Sequence, residues 1–201
     1  MKRIMLAFAG IVICAVALHA APLSATQTLQ VNLSDLNQAQ LVFTGTCTAR
    51  DAHIKNGMLE TTYTFKVPAE GVVKGNVPET FQFTQWGGSI EDAKRLGVPA
   101  PSGIVSYEIG KEYTLFLTGE SKLGFRSPVG LGQGKFNVVQ GPDGKKQVVN
   151  DFNNKSLFVG LPASKSMTKA LSTGGIQGGQ QGGPIDLENF QKMIKELNRK
   201  E

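Results

Sequence analysis

The sequence predicts a mainly β domain, a sandwich or a small barrel, carried by an exported chain. Three observations point there. Apolar and polar residues alternate with period two in run after run between residues 40 and 160. Turn-forming Gly, Asn, Asp and Pro residues separate those runs. Helical periodicity is concentrated beyond a Gly/Gln-rich segment near the C-terminus.

The first segment stands outside that domain. Lys2 and Arg3 precede an almost unbroken apolar run, and Leu18-His19-Ala20 supplies a small-residue cleavage site. Residues 1–20 therefore read as a secretory signal peptide, with a second candidate cut after Ala25 and a retained anchor as the weaker alternative. Ile13 sits where a lipoprotein signal ending at Cys14 needs a small residue. The expected location is secreted or periplasmic, with no membrane insertion after cleavage. Cleavage removes Lys2 and Arg3 but no acid, so the net charge falls from +5 to +3. That charge is too small and too scattered to suggest nucleic-acid binding. It also leaves one cysteine, Cys47, and one histidine, His53, so the mature domain has no internal disulfide and relies on burial.

The domain is expected over 26–160. Residues 26–31 alternate weakly, as an edge strand or a tether. Ser34-Asp35 reads as the cap of a single helical turn. The organising stretch follows, LVFTGTCTARDAHIKNGMLETTYTFKVPAEGVVKG. Leu41, Phe43, Gly45, Cys47 and Ala49 share one face of a first strand, opposite Val42, Thr44, Thr46 and Thr48. A polar turn is expected over 50–57, ending in Asn56-Gly57, a pair suited to positive φ. Thr61, Tyr63, Phe65 and Val67 then mark a second strand, interrupted at Pro68 by a bulge or an edge and resumed at Val72-Val73. In a third run Phe81 and Phe83 share a face, while Trp86 has the opposite parity and abuts Gly87-Gly88. The long loop 87–106 carries a helical turn over 90–96. Further strands are expected at 112–118, 125–130, 135–140, 147–149 and 156–161, with Gly141-Pro142-Asp143-Gly144 as a turn. Residues 172–184 (STGGIQGGQQGGP) form a flexible linker. Asp186 then caps a C-terminal helix over 185–199, with Leu187, Phe190, Ile194 and Leu197 on one face. So short a helix is marginal alone, which favours docking back onto the domain. Asn32-Leu33-Ser34 and Asn154-Lys155-Ser156 match the glycosylation pattern.

The order of motifs over 41–149 resembles a family of small bacterial exported proteins with a netrin-like fold. That fold is the OB barrel also found in tissue inhibitors of metalloproteinases (TIMP-like). The motifs are Gly45-Thr46-Cys47 in the first strand, Lys74-Gly75 ending the second, and Gly87-Gly88. A Gly-x-x-Tyr-x-Leu-Phe-Leu strand over 110–117 and a Gly-x-x-Gln-Gly-x-Phe segment over 130–136 complete the set. The resemblance implies a small OB-like barrel, and an extracellular protease as one class of partner. The inhibitors' zinc chelation by a disulfide-bonded N-terminal cysteine does not carry over. The mature chain starts near Ala21 or Thr26 and has no second cysteine.

The residues suggest little chemistry. Cys47 and His53 are the one nucleophile–base pair available to a small enzyme, yet Cys47 belongs to an apolar strand face and His53 to a polar turn. One His and one Cys fall short of a zinc site, and Asp51, Asp92, Asp143 and Asp151 are isolated, so neither metal nor cofactor is expected. Residues 130–135 (GLGQGK) are mis-spaced for a phosphate loop, with Phe136 in place of Ser or Thr; their glycines read as barrel bends. Trp86, with Gly87 and Gly88, is the candidate binding surface, the alternative being that a bulge turns the indole into the core. The expected function is a non-enzymatic module that binds an extracellular protein partner. A barrel that binds a glycan or other extended ligand is the alternative, and a small enzyme the third.

Overall fold

The computed structural model describes residues 29–99, 102–161 and 182–199. The expected signal peptide and nearly all of the linker lie outside them. The described chain is mainly β: one antiparallel sheet of eight strands, with a C-terminal helix on one face. The strands are β1 (Leu41–Lys55), β2 (Met58–Lys66), β3 (Val72–Lys74), β4 (Thr80–Trp86), β5 (Glu112–Leu117), β6 (Lys135–Gln140), β7 (Lys146–Asn150) and β8 (Ile185–Asp186). Their order is β4-β2-β1-β5-β6-β7-β8, with β3 also paired to β1. The helices are α1 (Leu33–Leu36), α2 (Ile90–Arg95) and α3 (Leu187–Asn198).

β1 and β2 form the spine. Asn56 (φ 51°) and Gly57 (φ 76°) close a two-residue hairpin, with Lys55 opposite Met58. The polar turn expected from Arg50 onward is instead strand. Ala52 is buried there between the exposed Asp51 and His53, a parity hidden by a bulge, while Ile54 and Lys55 near the hairpin tip are exposed. The register shifts between Cys47 and Ala49, so Thr48 is the extra residue. Beyond it Ala49 is exposed, contrary to expectation, while Arg50 turns inward opposite Tyr63. At Pro68 the second strand breaks into a 3-10 turn (Ala69–Gly71), and β3 rejoins β1 opposite Val42 and Phe43.

Two large cores lie on opposite faces of the sheet, and a third, small cluster of Ala52, Leu59 and Ala93 sits under α2. The first holds Phe43, Cys47, Tyr63, Phe65, Phe83 and Tyr107, among others. Most of its ring pairs meet edge-on, as in Tyr63–Tyr107 at 4.6 Å and 85°, while Phe65 and Phe83 stack at 5.9 Å. The second lies between the sheet's other face, α1, α3 and the turns after β7, with Leu36, Val42, Phe116, Phe136, Phe190 and Ile194 at its centre. The first half of β1 is thus buried on both faces. Thr44, expected on a solvated face, exchanges a hydrogen bond with Thr114 (Oγ1···Oγ1 2.8 Å) and accepts one from Gln191 of α3 (3.1 Å).

α3 docks as its apolar stripe demands. Asp186 caps it by accepting from the Asn189 amide (2.9 Å), and Phe190 packs against Phe136 (4.9 Å) and Phe116 (6.0 Å). β8, which precedes it, pairs Ile185 with Val148 of β7. At the other end, α1 is capped by Asn32 rather than Ser34, in a reciprocal capping box with Asp35.

Two expected strands do not form, and the strand ladders do not close the sheet into a barrel. Residues 125–130 make only isolated bridges, Thr84–Phe125 parallel and Leu117–Pro128 antiparallel. Pro128 has no N–H to donate, and Gly130 takes a left-handed conformation (φ 62°), which ends any ladder there. Residues 156–160 belong to consecutive turns from 151 to 160, and Leu161 follows them outside any strand. Their backbone bonds locally, Val159 N to Ser156 O (3.1 Å), and the Asn154 side chain, 1% exposed, ties these turns to β7 and residue 183: its Nδ2 donates to the carbonyls of Val148 (2.9 Å) and Gly183 (2.8 Å). An amide so buried and so bonded is not available for glycosylation.

Candidate functional site

β4 presents Phe81, Phe83 and Gln85 to the first core, and Thr80, Gln82, Thr84 and Trp86 outward. No bulge intervenes, so Trp86 stays on the outer face, 45% exposed. Across the sheet it stands opposite Glu60, which stands opposite His53. Glu60 is 5% exposed, and its carboxylate has His53 Nε2 at 4.0 Å and Lys55 Nζ at 3.9 Å. Both contacts are longer than a hydrogen bond, so they add a local field rather than a fixed geometry. The outer row therefore runs from base through acid to indole.

Gly87 and Gly88, expected beside Trp86 as part of the surface, are buried. Gly87 (φ 82°) donates its N–H to Leu59 O (2.7 Å) and accepts from Thr61 Oγ1 (2.7 Å). A side chain at Gly88 would collide with Thr61 Oγ1. This pair turns the chain tightly from β4 into α2 and fixes the indole's position without itself being reachable. Ser89 then caps α2, and Asp92 takes Arg50 Nε at 3.0 Å and Ser89 Oγ at 2.7 Å. That anchors the loop over a third, smaller cluster in which Ala93 packs with Ala52 and Leu59.

Trp86 forms a wall shared by two concavities. One, of about 390 Å³, lies between it, the hairpin residues Met58 and Leu59, and Val98 and Pro99. The other, of about 220 Å³, lies between it, Gln85, Ile104, Val105, Phe125 and Arg126. Met58 is itself exposed, so indole, thioether and proline ring form one apolar patch beside the polar row. The sequence marked Trp86 and the long loop. It did not mark Met58, Gln85, Phe125 or Arg126, which reach the site from separate segments.

The other sequence candidates are not brought together. Cys47 is fully buried in the first core, and its Sγ donates to Ala49 O at 3.7 Å. Burial pushes its thiol pKa up, which opposes a reactive thiolate. His53 sits on β1 rather than in a turn, on the outer face and, counted on the partner strand from Phe65 to Glu60, roughly 17 Å farther along at about 3.3 Å per residue. The pair has no shared site. No group of three or more His, Cys, Asp and Glu side chains is placed to hold a metal among the described residues. The segment 130–135 is a left-handed Gly130 followed by a 3-10 turn (Leu131–Gln133), and Gly134 lies where any Cβ would strike Val129 O. These glycines serve close backbone packing. No described helix is long and apolar enough to cross a membrane.

The chain matches no family model, and no curated protein matches it in sequence.

Proposed function

We propose that the protein is an exported, non-enzymatic binding module whose OB-like barrel presents the Trp86 face to an extracellular protein partner. The observation that carries this reading is the half-exposed indole held between two concavities by a buried Gly-Gly turn. The protein's Tyr63, Tyr107 and Tyr113 are buried in the first core, so Trp86 is outside by strand parity and not for want of an apolar interior. An immobilised aromatic beside apolar pockets, with polar groups at the rim, is the arrangement that dominates interface energetics.

The barrel reading rests on segment 125–129. Its backbone accepts and donates on both sides: Arg126 N to Thr84 O (2.9 Å), Thr118 N to Ser127 O (2.9 Å) and Val129 N to Phe116 O (2.8 Å). A circuit β1-β2-β4-(125–129)-β5-β1, with its β4 contact parallel, supports an OB-like path closed by single bridges rather than by a ladder. The netrin-like resemblance adds an extracellular protease as the class of partner to try first. The chelating mechanism of the metalloproteinase inhibitors finds no support, because Cys47 is free and buried.

One observation favours a second reading, a glycan or other extended ligand. The outer face of β2 and β4 is a polar lattice, with Thr62 Oγ1 and Thr84 Oγ1 at 2.9 Å and Gln82 Nε2 donating to Thr64 Oγ1 at 2.9 Å, and it leads directly to Trp86. That is the face on which OB barrels carry extended ligands. Affinity capture from culture supernatant and periplasm, run beside a glycan array, separates the two. The leading reading expects a protein retained by the native chain and lost with Trp86→Ala. Array binding without any such protein would replace it with the second.

A further inference from the structure

β1 runs on past the strand that flanks it on one side. β5 pairs with it only from Leu41 to Thr46. The last bonds on that side run from Cys47 N to Lys111 O (2.9 Å) and from Gly110 N to Cys47 O (2.7 Å). From Ala49 to Lys55, β1 keeps β2 on its other side, but no strand lies on this one among the described residues. The hairpin fixes which backbone groups are left over. Lys55 and Met58 flank a two-residue turn, so Lys55, His53 and Asp51 exchange their bonds with β2. The N–H and C=O groups of Arg50, Ala52 and Ile54 therefore point to the open edge. Arg95 covers part of it, donating to Ala52 O (3.2 Å), and Asp92 Oδ1 also holds that guanidinium (3.3 Å). Residues 49–55 contain neither proline nor a further bulge to block pairing.

We propose that a second copy of this chain fills this edge, the two β1 strands pairing antiparallel about a two-fold axis at Ala52. Length, backbone and charge all select that axis. The open stretch 49–55 is centred on Ala52, so each hairpin turn reaches the other copy's Thr48, just short of the pairing to Gly110 and Lys111. Arg50 falls opposite the second copy's Ile54, and Ala52 opposite its counterpart, so all the edge-facing groups exchange bonds. Arg95 yields the Ala52 carbonyl and keeps its ion pair with Asp92. On the outer face Asp51, whose carboxylate is 85% exposed, falls opposite the second copy's His53 and diagonal to its Lys55. An axis at Asp51 would oppose two carboxylates, and one at His53 would leave the Arg50 groups unpaired. The contact is isologous and closes at two copies. It also joins the two outer faces into one, with five strand spacings of about 4.8 Å, roughly 24 Å, between the two Trp86 side chains. The dimer does not depend on Trp86 touching a partner; the bivalent face does.

Sedimentation velocity on the mature chain over a concentration series should show a monomer–dimer equilibrium. Asp51→Lys sets like charges together at both symmetric positions and should raise the dimer Kd roughly 10-fold. Adding His53→Asp exchanges the two charges and should return Kd to within about 3-fold of the native value, a recovery that an axis at His53 would not give. Ile54→Pro removes an edge N–H that β2 does not use, and should leave a monomer with native circular dichroism. A native chain that is monomeric at every concentration would overturn the proposal and leave the edge to a strand of a different protein. A dimer indifferent to Asp51→Lys and Ile54→Pro, or one that the double variant does not restore, would overturn it as well. If the dimer behaves as expected while no protein is captured through Trp86, the dimer stands and the docking reading falls.

Discussion

Phe190→Ala tests whether the C-terminal helix is part of the folded unit or a tethered arm. Phe190 is fully buried and closes the second core against Phe136 at 4.9 Å and Phe116 at 6.0 Å. Truncating such a ring loses its transfer free energy and leaves a cavity walled by Val42, Phe116 and Phe136 on the sheet, which cannot collapse readily. Together these cost about 3–5 kcal/mol. In a domain of this size each kcal/mol lowers Tm by about 2–4 °C, so the expected fall is roughly 6–20 °C. Thermal unfolding followed by circular dichroism would measure it, with a single transition retained because helix and sheet share that core. A shift below about 3 °C would refute the reasoning. So would a separate low-temperature helix transition, since either would mean that the sheet is stable without α3.

The pH dependence has a definite sign. Burial raises the pKa of Tyr63 and Tyr107, and of Tyr113 more weakly, above the ordinary value near 10. The folded state holds these protons more tightly than the unfolded state. Stability from this source is therefore complete below about pH 10 and lost as pH rises beyond it. Phenolate absorbance should stay absent in the native protein and rise in step with alkaline unfolding; ionisation of all three tyrosines before unfolding would contradict the buried cluster. Cys47, likewise raised by burial, should alkylate only as fast as the chain unfolds, a rate readable by mass spectrometry in native and denaturing buffer. Two glycine variants separate close packing from backbone freedom. Gly57→Ala meets no atom within 4 Å but must hold φ 76°, a cost of about 1–2 kcal/mol, whereas Gly134→Ala drives a Cβ into Val129 O and should cost more in a urea titration.

What was legible in the sequence follows from how far each interaction reaches. Period-two alternation assigned Tyr63, Phe65, Phe81 and Phe83 to a core and Trp86 to the opposite face, because parity is local. Asn56-Gly57 marked its own turn for the same reason. The bulge at Thr48 left no local signal and inverted the parity of everything after it in β1. The burial of Thr44 depends on Gln191 and the rest of α3, far along the chain, so the strand read as half-exposed. The expected strand at 156–161 failed because its backbone bonds locally in successive turns, Leu157 N to Asn154 O and Val159 N to Ser156 O, with Ser156 and Gly160 at positive φ. The pocket beside Trp86 was invisible for a different reason. Gln85, Ile104 and Phe125 lie on three segments, and only the tertiary fold places them around one volume.

The claim that matters most is that Trp86 is the contact residue. It is the only tryptophan in the sequence, so fluorotryptophan labelling gives one fluorine NMR signal, which can be followed even in unfractionated culture supernatant or periplasmic extract. The account predicts that this signal shifts or broadens and loses its solvent isotope effect when the partner-containing fraction is added. A complex captured by the protein in which the Trp86 signal stays sharp, unshifted and solvent-exposed would contradict it.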